Sequence, residues 1–152
     1  MKKLIVSLLL VGASTACTKV ITVPGPVAAA NGSPGAPDAV SAVRGFLAAA
    51  KEPDLQTMGK LFGDAQGPAG QGIAREDLEK REVIMARCLR HDSYDIVTDA
   101  PNPGGGRNFV VNLSFHELSR SANFQVVMGP ERRWFVQSFD PSALTDICSR
   151  RA

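Results

Sequence analysis

From residue 38 to about residue 89, apolar residues recur at three- and four-residue spacing; from Tyr94 onward they alternate with polar ones. The first period is that of helices packed on one side, the second that of half-buried strands. Asp38, after Pro37, predicts an N-cap for a first helix whose buried side is Val40, Val43, Phe46, Leu47 and Ala50. Pro53-Asp54 breaks that helix and starts a second, with Leu55, Met58, Leu61 and Phe62 inward and Gly63 as its stop. Residues 64–72, DAQGPAGQG, read as a mobile connector. A third helix is expected over residues 75–89, with Leu78, Met85, Cys88 and Leu89 on one face, Ala74 and Ile84 at its margins, and Arg81 on that same face. Four strands follow at residues 94–98, 108–116, 122–128 and 133–139, the second carrying Phe109, Val111, Leu113 and Phe115 on one side. Asp140-Pro141 opens a short C-terminal helix that delivers Cys148. Helices first and an antiparallel meander second predict an α+β domain with the helices on one side of the sheet.

The start of the chain obeys neither period. Lys2 and Lys3 precede an apolar run, residues 4–11, and then Ser14-Thr15-Ala16 before Cys17, the layout of an export signal. The cysteine after small residues resembles the bacterial lipobox, with Ser14 standing where that family usually has Leu. The resemblance implies cleavage before Cys17 and acylation of its thiol, making the lipid the link to a membrane. The apolar run itself is well short of the roughly 20 residues that a spanning helix needs. Residues 18–37, TKVITVPGPVAAANGSPGAP, have little to bury and read as a tether. The expected organisation is therefore a signal at 1–16, a lipidated cysteine and tether at 17–37, and one domain at 38–152. Thr18 after the lipidated cysteine implies the outer membrane, facing the periplasm, since Asp at that position retains lipoproteins of this kind at the inner membrane.

The 152-residue chain has a formal charge of +2, which disappears with Lys2 and Lys3. A neutral exported domain argues against a nucleic-acid partner. Of three cysteines, Cys88 and Cys148 remain once Cys17 is lipidated, and an oxidising compartment favours their pairing as a disulfide. Two buried, unpaired thiols are the alternative. His91 and His116 have no ligand spacing to either cysteine, so no metal site is expected. Gly104-Gly105-Gly106 lacks the Lys-Ser/Thr of a phosphate loop, and no cofactor is implied.

The element order, with AVRGFLAAA at 42–50 and RRWFVQSF at 132–139, resembles the nuclear transport factor 2-like (cystatin-like) α+β cone. Small bacterial lipoproteins with lumazine-binding-like domains share that plan. The resemblance implies a curved sheet with its concave face under the helices and a pocket at the open end. Arg81, Tyr94 and Asp95 are the candidates for that pocket, with His91 and Asp92 close by in sequence; none is assigned a catalytic role. The other sheet face is expected to carry Asn112, Ser114, His116, Asn123, Gln125, Arg133 and Gln137, dotted with Val110, Val127, Phe135 and Phe139. That face is where a homodimer or an envelope protein partner would bind. The functional expectation is a membrane-anchored envelope lipoprotein acting as a non-enzymatic binding or scaffolding module. The alternative is a cone holding a small ligand, with isomerase- or hydrolase-like chemistry.

Overall fold

In the computed structural model, which describes residues 33–150, three helices precede a four-stranded antiparallel sheet and a short helix closes the chain. Helix α1, Ala39–Lys51, begins where the Asp38 carboxylate accepts the Ser41 amide at 2.8 Å. Burial pushes the Asp38 carboxyl upward, and the hydrogen bonds from the Ser41 hydroxyl and amide outweigh it, so its pKa lies below the ordinary value. Helix α2, Leu55–Leu61, repeats the device with Asp54 and Thr57. Both starts match the sequence reading.

Residues 63–72 form a built element where a mobile connector was expected. Gly63–Asp64 (β1) pairs antiparallel with Gly67–Pro68 (β2), and a 3-10 turn, Ala69–Gln71, follows. Gly63 makes the hairpin possible, since a Cβ there would lie 2.2 Å from the Gly67 carbonyl oxygen. Helix α3 is Arg75–Cys88.

The main sheet runs β3, Ser93–Pro101; β4, Arg107–Phe115; β5, Leu118–Met128; β6, Trp134–Phe139, each paired with the next. Two register shifts bend it, one at Val97 in β3 and one at Gln137 in β6. Strand β6 does not end the sheet bare: Ala36 bridges Trp134 on its outer edge and Phe62 bridges Val136. Helix α4, Thr145–Ser149, follows a 3-10 turn whose start is held by Asp140 accepting the Ser142 amide at 2.9 Å.

The core lies between α1 and the sheet. Phe46, Leu47, Phe109, Val111, Leu113, Phe124 and Val126 are fully buried there, each such side chain stabilising the fold by roughly 1.5–3 kcal/mol. These side chains fill the space where an open cone would hold a ligand. At the far side, Cys88 at the end of α3 and Cys148 in α4 stand with their sulfurs 2.15 Å apart, at disulfide distance. No helix among the described residues is long and apolar enough to cross a membrane.

Candidate functional site

The face that α3 buries differs from the expected one. Leu78, Cys88 and Leu89 are buried as expected and Met85 partly so, but Glu82 and Ala86 join them, while Arg81 and Ile84 are exposed. The charged residue inside is thus Glu82, only 2 % exposed, and not Arg81. Its Oε1 is buried with no hydrogen-bond partner. Leaving such an acceptor unpaired costs roughly 1–3 kcal/mol, so the position calls for an explanation beyond packing.

Space for the carboxyl comes from the facing helix. A Cβ on Gly59 of α2 would stand 2.6 Å from Glu82 Oε1, so only glycine fits there without movement. Glu82 and Gly59 line a cavity of about 330 Å³ whose apolar walls are Leu55 and Leu78. Lys60, Arg75 and Glu79 line it too; Arg75 and Glu79 pair at 2.8 Å. Loss of hydration and the like charge of Glu79 push the Glu82 carboxyl up to about 7. A carboxyl with that pKa takes up or releases a proton near neutrality, and once ionised it needs a donor or a cation.

The residues expected to share one pocket are not brought together. Arg81 lines a cleft of about 450 Å³ between the β1–β2 hairpin and Gln137. Tyr94 packs against the core, its ring edge-on to His91 at 5.4 Å, and burial raises its pKa. Asp95 is exposed on the other side of β3, opposite Asn112. Tyr94 and Asp95 are neighbours in a strand, and neighbours point to opposite faces.

His91 and Asp92 hold the junction between α3 and β3. The His91 Nδ1–H donates to the Leu89 carbonyl at 2.7 Å, and burial, with Lys51 nearby, lowers the pKa of the ring. Lys51 Nζ donates to the Asp92 carbonyl at 2.9 Å, and the Asp92 carboxylate accepts the His116 amide at 2.6 Å. These contacts leave the pair a structural task.

Of the expected interaction face, Asn112 and Ser114 on β4 and Asn123 and Gln125 on β5 do share the surface away from the helices. Ser121 donates its hydroxyl to Asn112, and Ser138 donates to Gln125 at 3.1 Å. Three members lie elsewhere. His116 sits in the β4–β5 turn at φ 53°, past the end of the strand. Arg133 precedes β6, and its guanidinium donates to the Pro34 and Gly35 carbonyls. Gln137 is the extra residue of the β6 bulge. The bulge also turns Phe139 inward, where it stacks on Phe124 at 5.6 Å. Phe135 is buried under Gly35 and Gly129 in place of standing free.

Two further hollows border the helices. One, about 330 Å³ and largely apolar, lies between residues 33–37, α1 and α2. The other, about 500 Å³, has Pro53, Leu55 and Val83 beside Arg87, Arg90 and Arg150. Among the described residues no three His, Cys, Asp or Glu side chains are grouped to hold a metal ion.

Glu82 and Gly59 escaped the sequence reading. The Leu78-Glu82-Ala86 run at four-residue steps, and a glycine in mid-helix where it costs about 1 kcal/mol, are the signals that mark them. Compared with protein-family models, with curated proteins and with solved structures, the chain matches none.

Proposed function

We propose that this chain is an envelope lipoprotein, held to the outer membrane through lipid on Cys17, whose domain is a non-enzymatic binding module. The observation that carries the reading is the filled space between α1 and the sheet, where, among the described residues, Phe46, Phe109 and Phe124 are fully buried. With Arg81, Tyr94 and Asp95 on separate surfaces, the isomerase- or hydrolase-like alternative loses its constellation. The Cys88–Cys148 pair supports export, because a disulfide persists in an oxidising compartment. The lipobox-like start supplies the anchor, and the cystatin-like plan the frame. Lipid, tether and domain then act in series, with the domain presented at a distance from the membrane.

The surface offered to a partner is the outer sheet face around Asn112, Asn123 and Gln125, either to a second copy or to another envelope protein. A photo-crosslinking amino acid at Asn123, irradiated in intact cells, tests it. An adduct of twice the protein's mass identifies a second copy, and one of another mass identifies an envelope partner. Irradiation that yields no protein adduct at Asn123 defeats the reading.

A further inference from the structure

The cavity between α2 and α3 is lined by charges of both signs. A carboxyl with a buried, unpartnered oxygen, Glu82, stands against Gly59. Lys60, exposed and in no ion pair among the described residues, lines the same cavity, with Arg75 already paired to Glu79. Leu55 and Leu78 supply apolar lining to the same cavity. A volume of about 330 Å³ suits a small molecule.

We propose that this cavity binds an α-amino acid, its ammonium on the Glu82 carboxylate and its carboxylate toward Lys60. The ammonium gives the Glu82 carboxylate, which lines the cavity and has no hydrogen-bond partner on its Oε1, a charged donor, and a charged hydrogen bond is the strong kind. Lys60 supplies the countercharge for the other end of the zwitterion. A simple amine would leave Lys60 unused and a simple acid would meet Glu82 with like charge, so both groups are needed. Gly59 makes the room in which the Glu82 carboxyl sits at the cavity wall.

Because burial and Glu79 hold the Glu82 carboxyl near pH 7, the site strengthens as pH rises through that value. Lys60 and the Arg75–Glu79 pair are the other charged groups that line the cavity. The site is separate from the outer sheet face, so its failure leaves the partner reading standing.

The test uses the full lipidated chain in detergent micelles with ¹³C-labelled glutamate, titrated with a pool of the proteinogenic amino acids. The expected result is a fall of about one unit in the Glu82 titration midpoint, equivalent to tenfold preference for the ionised carboxyl. The same acids lacking their amino groups leave the midpoint in place. Glu82→Gln weakens binding at least about tenfold with an unchanged circular dichroism spectrum. Lys60→Met, at an exposed position that does not threaten folding, weakens the amino acid but not its decarboxylated amine. A midpoint unmoved by the pool, equal effects from the acids without amino groups, or full binding by Lys60→Met overturns the proposal.

Discussion

At the scale of the residue, Glu82 shows what a sequence conceals. Its neighbour Arg81 looked like the charge on the apolar face because residues 78, 81, 85 and 88 also form a stripe of three- and four-residue steps. The buried side takes in residues 82 and 86 beside 78, 88 and 89, and the polar letter at 82 hid the middle of that stripe. The consequence for stability has a sign. Folded, Glu82 holds its proton up to about 7, against an ordinary value of 4.5 in the unfolded chain. Below 4.5 both states are protonated and nothing is lost. Between 4.5 and 7 the unfolded chain ionises first, so stability falls, and above 7 the loss is complete at roughly 3 kcal/mol. Thermal melts should show Glu82→Gln matching the wild type near pH 4.5 and exceeding it at pH 8. A wild-type advantage at pH 8 would contradict the assignment. Gly35 gives a second check. It has φ +76°, and a Cβ would lie 2.8 Å from the Phe135 ring. Gly35→Ala should lower stability in urea by more than about 1 kcal/mol.

At the scale of the element, most of the architecture was readable. The Asp38 and Asp54 caps and the apolar sides of α1 and α2 appear where their periods put them, as do the four alternating strands, with β3 continuing to Pro101 and β5 starting at Leu118, beyond the expected ends. Capping is a short-range hydrogen bond and alternation is a local pattern, which is why both survive in the sequence. What did not show were features made by contact between distant segments. The β1–β2 hairpin depends on packing beside β6, and the bulge at Gln137 depends on the register with β5. That bulge reversed the side taken by Phe139 and removed Gln137 from the expected face. The start of the domain was likewise hidden. Gly35 and Ala36 are buried, with Ala36 and Trp134 exchanging backbone hydrogen bonds of 2.8 and 2.9 Å, so the folded unit reaches upstream of Asp38. Two measurements follow at this scale. Asp38→Ala should cost about 1 kcal/mol in chemical denaturation through loss of the cap. A chain cut before Pro37 should melt below one cut before Ser33, because Arg133 and the β6 edge lose their partners. Equal melting would mean that residues 33–36 contribute nothing to the fold.

At the scale of the whole molecule, the fold is layered helices on a sheet, closed behind α3 by a link across 60 residues of chain. Cys88→Ser with Cys148→Ser should lower unfolding free energy by about 4 kcal/mol in the chain-entropy model, and reductant should affect the wild type alone. Under the proposed reading, the exposed polar sheet and the small cavity beside Glu82 are the two surfaces that engage a partner or a ligand. The proposed location rests on the first 17 residues, with the Cys88–Cys148 pair in support. Intact-mass spectrometry of the full chain, expressed in a bacterial host with its own lipoprotein machinery, therefore tests the account most directly. The predicted mass is that of residues 17–152 with acyl groups on Cys17 and two hydrogens fewer for Cys88 and Cys148. A mass that retains Met1 or an unmodified Cys17 thiol would contradict the envelope reading at its root.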